Sequence, residues 1–236
     1  MKILGIDTSG YANAIGVIDG DQILADLVFE ARADSLEKIV ANIDFALEKA
    51  GLTLEDIQGF GVGLGPGSWT GIRVGVTVGK VLAYGTGKPV CGVPTLEVLA
   101  YNAQGRGGLI CPVISAGAGD TIYAALYRRK GGTVSRITEY YVGDVQGLSQ
   151  ILKEPAILVG TGVEAYRQRL KQALGSPDVE IEMKEDVPRG AAVALLAAAR
   201  LERGQSDDVL SLTPLYLREF AARAMVNRYA QAKGKA

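Results

Sequence analysis

The chain has 236 residues, 48% hydrophobic and 22% charged, with a net charge of −1. That is enough for one large domain or two small ones with real cores, and the balanced charge gives no support for non-specific nucleic-acid binding. There is no histidine, which removes His-ligated metal sites, Ser-His-Asp and Cys-His catalysis, and the usual neutral-pH general base.

No apolar run reaches membrane-spanning length, and the start MKILGIDTSG turns polar too soon for a signal peptide. The expectation is a cytoplasmic protein with no membrane contact. Cys91 and Cys111 lie in strand-like contexts and read as reduced core thiols; no metal site is expected.

Residues 2–7 (KILGID) read as a strand ending in the polar turn Asp7-Thr8-Ser9-Gly10. Strands at 12–19 and 22–30 follow across a Gly20-Asp21 turn. The clearest helix is 35–50, with Leu36, Ile39, Val40, Ile43, Leu47 and Ala50 at helical spacing. Asp34 with Glu37 suits a capping box, and Gly51 suits the stop. The strand at 58–64 has glycine at alternate positions, continuing to Gly67, so one face is bare and the other carries Phe60, Val62 and Leu64. A bare face implies close approach by a helix backbone, a ligand phosphate, or both. A helix at 71–84 follows with Gly71, Gly75 and Gly79 every fourth residue, then a strand at 88–92 and a helix at 94–104.

After a Gly-rich linker at 105–108 the order restarts. Strands are expected at 109–115, 121–129 and 133–142, a helix near 144–153, and a strand at 156–160. A helix at 163–174, a strand near 179–183 and an alanine-rich helix at 190–203 complete the half. Residues 211–219 read as a closing strand or arm. Both halves therefore have the element order of a ribonuclease-H-like unit, duplicated in the actin, Hsp70 and sugar-kinase (ASKHA) group, an α/β fold reached by analogy. The domains expected are an N-terminal actin-like half at 1–105, a reduced C-terminal half at 106–219, and a basic helix or tail at 220–236.

In the actin-like group the first hairpin turn presents an acid and hydroxyls to nucleotide phosphate, which makes Asp7, Thr8 and Ser9 candidate nucleotide-binding residues. The competing reading is an Asx-type turn in which Asp7 bonds its own backbone. The GPGSWTG turn lacks the lysine of a Walker A loop and the third glycine of G-x-G-x-x-G. Helix capping by Ser68 or Thr70 competes there with anion binding. The second turn, Ser115–Asp120, has no acid at its start, so a two-sided phosphate clamp is incomplete.

ILGIDTSG at 3–10, GLGPGSWTGIRVG at 63–75, GKVLAYGTGKPVCGVPTLEVLA at 79–100 and PLYLRE at 214–219 resemble the TsaB (YeaZ) family over nearly the whole chain. The resemblance implies a noncatalytic scaffold that binds and activates a catalytic sister subunit, TsaD, in threonylcarbamoyl transfer to adenosine in tRNA. It further implies a TsaE ATPase in the complex, a homodimer when alone, tRNA contact mainly through the complex, no intrinsic cofactor, and ATP or ADP in the complex. In this family the first two helices pack against equivalent helices of the sister or of a second copy. On that basis Leu36, Ile39, Ile43, Leu47, Ile72, Arg73 and Val76 are the expected partner contacts. The glycine face of the strand is expected to seat the helix at 71–84, whose own smooth side accepts another helix. The sequence departs from the family at Asp34-Ser35-Leu36 and at Ser115-Ala116-Gly117. The alternatives are an actin-like ATPase using Asp7 and, more remotely, a glycoprotease-like peptidase.

Overall fold

The computed structural model describes residues 1–30, 38–103, 108–117, 119–175, 181–184 and 187–218. The expected cap at Asp34 and Glu37, the candidate contact Leu36, most of the linker and the basic tail at 220–236 lie outside the described residues.

The first sheet contains β1 (Lys2–Asp7), β2 (Ala12–Asp19), β3 (Gln22–Glu30), β4 (Gly59–Gly63) and β5 (Val90–Val93), in the order β3-β2-β1-β4-β5. The first three form an antiparallel meander, and β4 and β5 run parallel to β1. Alternation in β1 sends Leu4 and Ile6 to one face and Ile3 and Gly5 to the other. Helices α1 (Ile39–Ala50) and α2 (Trp69–Thr86) cover the Leu4–Ile6 face, their apolar residues joining one cluster with Phe60 and Val62. Helix α1 stops at Gly51, which adopts a left-handed conformation (φ 67°), as the sequence implies. Helix α2 starts two residues earlier than expected because Ser68 caps it, its hydroxyl accepting from Gly71 N at 3.2 Å, and runs on to the left-handed Gly87.

The second sheet repeats the plan. It has β6 (Leu109–Ser115), β7 (Ile122–Ala124), β8 (Tyr127–Lys130), β9 (Thr133–Arg136), β10 (Tyr141–Gly143), β11 (Ala156–Val159) and β12 (Ile181–Lys184), in the order β10-β7-β6-β11-β12. Strand β8 pairs with β6, and β9 with β8. The two expected long strands are each broken. At the break Leu126 N donates to Thr138 Oγ1 (2.9 Å), a side chain in place of a ladder carbonyl. The expected helix at 163–174 divides at Tyr166 into α5 (Thr161–Ala165) and α6 (Arg167–Leu174); α4 spans Val145–Ile151. Each sheet thus places its first strand between an antiparallel second strand and a parallel later one, β2 and β4 around β1 and β7 and β11 around β6: two ribonuclease-H-like halves.

The remaining helices cross over. Helix α3 (Thr95–Asn102), which follows the first sheet, packs on β6 and β9 of the second; α7 (Gly190–Leu201), which follows the second, packs on β1, β2, β4 and β5 of the first. Arg200 on α7 forms a two-pronged ion pair with Glu97 on α3 (2.6 and 2.7 Å). Arg129 donates to the last carbonyls of α3, at Ala100, Tyr101 and Ala103. The segment 202–218 stays with the first half as well. Asp207 bridges β5 at Val90, Lys80 Nζ donates to Leu210 and Leu212 carbonyls, and Leu215 N donates to Leu64 O (2.8 Å). The expected division at 105/106 is therefore crossed in space by residues 190–218, and the expected closing strand over 211–219 is an irregular arm through its described residues.

The glycine stripe has a different occupant from the expected one. Gly16, Gly5 and Gly61 stand side by side in register on β2, β1 and β4. A methyl group added at any of them would strike α7: Gly190 and Ala191 from Gly16, Gly190 and Ala194 from Gly5, Val193 and Ala197 from Gly61. The stripe seats α7, not α2. Nor is the smooth side of α2 open to a partner, because Gly71 and Gly75 press on Thr8 and Gly79 on Val62. Among the described residues no helix is long and apolar enough to cross a membrane.

A sealed hairpin turn, an aromatic cleft and an outward helix face

The first turn gathers Asp7, Thr8 and Ser9 as the sequence requires, but directs all three side chains inward. Each is at most 3% exposed. Asp7 Oδ1 accepts from Ser9 N (2.8 Å) and Ser9 Oγ (2.6 Å), and Oδ2 accepts from Thr95 Oγ1 (2.9 Å). Thr8 Oγ1 donates to Gly71 O at 2.6 Å. Burial pushes the Asp7 carboxyl above its ordinary value, against the downward pull of the Ser9 and Thr95 hydrogen bonds. The expected nucleotide contacts are corrected accordingly: this is the Asx-type turn, packed onto the glycines at the end of β4 and after it. Gly63 leaves room for Asp7, Gly67 for Ser9, and Gly71 with Gly75 for Thr8. The GPGS turn likewise serves packing and capping, and Ser68 is occupied as the α2 cap.

Sequence reasoning missed Thr95 as the lock on Asp7, since nothing local links positions 88 residues apart. It also missed α7 as the partner of the glycines. A signal for that existed: Gly5 and Gly16 are glycines in the interiors of two other expected strands, and the helix at 190–203 is rich in alanine.

Between the halves lies a cleft of about 890 Å³. Its walls are the two hairpin turns, the N-terminus of α2, Thr161 and the arm at 215–218. In the second turn Ser115 Oγ lies 3.2 Å from Tyr166 OH, and Gly117 N donates to Ser115 Oγ. Asp120, the only acid of that stretch, is paired with Arg169. Tyr11, Trp69, Tyr123 and Tyr216 line the cleft, and Arg218 is its only charged side chain among the described residues. Trp69 stacks on Tyr216 with ring centroids 4.3 Å apart.

Of the expected partner contacts, Ile39, Ile43, Leu47, Ile72 and Val76 are all buried in the core between the first sheet and its helices. They are corrected from surface to core: helical periodicity locates the apolar side, and the sheet has claimed it. Arg73 is exposed, with its guanidinium over the Trp69 ring. What α1 and α2 turn outward instead is Val40 and Phe45, and Val81 and Tyr84, the last two 64% and 72% exposed. Cys91 and Cys111 are buried free thiols, and burial pushes Cys111 up to about 12. Among the described residues no three His, Cys, Asp or Glu side chains gather to hold a metal.

The family model described as "TsaD: tRNA N6-adenosine threonylcarbamoyltransferase" matches residues 29–225. The tRNA threonylcarbamoyladenosine biosynthesis protein TsaB of Bacillus subtilis is 29% identical over 227 residues, covering 95% of this chain and 97% of that protein. The Escherichia coli TsaB protein is 28% identical over 228 residues, covering 94% and 96%. The structure of YeaZ from Pseudomonas aeruginosa superposes with a TM-score of 0.80 at 22% identity, over 92% of this chain and 99% of that one, a likeness of fold. The chain belongs to the family of that matching model and, within it, to the TsaB/YeaZ group.

Proposed function

We propose that this chain works in the synthesis of threonylcarbamoyladenosine in tRNA, as a noncatalytic subunit that binds and activates TsaD. The observation that carries the reading is the set of large apolar side chains that α1 and α2 each leave exposed. Val40 and Phe45 on α1, and Val81 and Tyr84 on α2, stay exposed although the inner sides of both helices already fill the core, and we read them as the contact surface for the partner. The sealed Asp7 turn and the absence of histidine support a scaffold role over catalysis. Asp7 would have to surrender three hydrogen bonds before it could serve a magnesium ion or a phosphate, which also weighs against the actin-like ATPase. In the complex we expect TsaE as the ATPase, with ATP or ADP held there, and the same exposed residues pairing two copies when TsaD is absent. No cofactor of the chain's own is part of the reading, and its place of work is the cytoplasm.

Size-exclusion chromatography with light scattering, on the chain alone and mixed with TsaD of the same organism, tests this. A mixed species active in threonylcarbamoyl transfer to tRNA, where neither protein works alone, is expected. Tyr84→Ala should weaken assembly by about 2 kcal/mol if that ring is central to the contact. No association, even with the ATPase and ATP present, sinks the reading.

A further inference from the structure

We propose that the cleft between the halves receives one unpaired nucleotide of an RNA strand, its base stacked on Tyr216 and its phosphate held by Arg218. A stacking platform is already assembled. Arg73 lies over the Trp69 ring (5.4 Å to the centroid), and Trp69 stacks on Tyr216 with planes 29° apart. Tyr216 lines the cleft and keeps 43% of its surface exposed, so a further planar group can extend the column; Tyr11 and Tyr123 stand on the same walls. Aromatic side chains with arginine are the usual means of holding single-stranded bases, because every base has a π face.

Charge selects the ligand. The cleft offers one cation, Arg218, and no acid among its described lining residues. A phosphodiester carries one negative charge and matches it. A free nucleoside triphosphate brings several charges and a magnesium ion, and the acid that would hold the metal is buried at Asp7. The chain's overall charge of −1 fits a contact confined to one nucleotide rather than a broad basic surface. The inference rests on the preceding function only for the choice of RNA, which would be tRNA.

Trp69 is the only tryptophan and sits at the site, so its fluorescence reports occupancy. The full chain is titrated with a stem-loop RNA carrying an unpaired adenosine-containing loop, with the same strand annealed to its complement, and with ADP. Quenching by the loop RNA alone is expected. Tyr216→Ala should weaken it about tenfold, and Tyr216→Phe should retain it. Arg218→Gln should lower the slope of log affinity against log salt by about 0.7. No response to the loop RNA, an equal response to the duplex, or displacement of the RNA by lower concentrations of ADP would each overturn the proposal. TsaD assembly is measured on the Tyr216→Ala chain in parallel and should be unchanged; its loss would place Tyr216 in the subunit contact instead, against the proposal. Failure of the unaltered chain to bind TsaD sinks the scaffold function and leaves the RNA titration to stand by itself.

Discussion

The two faces of the first sheet are built from the same strands and packed by opposite means. On one, Leu4, Ile6, Ile15, Val17, Phe60 and Val62 interlock with the large side chains of α1 and α2. On the other, Gly5, Gly16 and Gly61 present bare backbone to the glycine and alanines of α7. The first face gains stability from buried side-chain area and loses it when a cavity opens. The second gains from close approach and has no room for an added atom. A glycine costs more conformational entropy on folding than any other residue, so a row of them implies close packing that offsets the cost.

The largest effect that would break this comparison if absent is at Gly16. A side chain there meets the Gly190–Ala191 backbone, which cannot turn aside as a side-chain tip can. Gly16→Val should leave little folded protein, and even Gly16→Ala should cost about 3 kcal/mol; folded yield and urea midpoints measure both. Phe60→Ala, on the other face, should cost about 3–5 kcal/mol as a cavity yet still give a folded chain. Gly61 sharpens the contrast, because a methyl there meets the Ala197 methyl together with the Val193 carbonyl. Gly61→Ala should therefore be partly relieved by Ala197→Gly, a recovery of about 1 kcal/mol in a double-mutant cycle. If Gly16→Ala were as mild as an exposed substitution, the close-contact account of this face would be wrong.

The smallest effect is a pH dependence at the edge of the glycine face. The folded chain holds the Asp7 proton more tightly than the unfolded chain does. The contribution of Asp7 to stability is thus greatest at low pH and falls as pH rises above 3.8 through the raised folded value. Asp7→Asn keeps the shape of the turn, with its amide facing Thr95 Oγ1, and removes the titration. Melting temperatures of the two chains should draw together, or cross in favour of asparagine, as pH rises from 3.8. Parallel profiles would mean that the buried carboxyl does not titrate in that range.

Much of the fold was legible in the sequence. The strands at 2–7, 12–19, 22–30 and 109–115 fall on the expected residues because alternation with a period of two is a local property, and glycine-bounded turns punctuate it. The strands at 121–129 and 133–142 were misjudged in continuity, since the break at Leu126 depends on Thr138 across the hairpin. The candidate site was legible in membership only. Asp7, Thr8 and Ser9 are one turn in any fold, but whether they face a ligand or the interior was settled by Thr95 and by Gly63, Gly67 and Gly71.

The sequence by itself determined the element order, the duplicated α/β plan, the exclusion of histidine chemistry and the need for something close against the glycine stripe. Only the tertiary structure decided what that something is, which apolar residues of α1 and α2 remain outside, and that Tyr216 stacks on Trp69. The physical reason is distance along the chain. Gly16 and Ala191, Asp7 and Thr95, and Trp69 and Tyr216 are each joined across 88 residues or more. Local patterns state that a surface must be covered, and the path of the chain between such pairs selects what covers it.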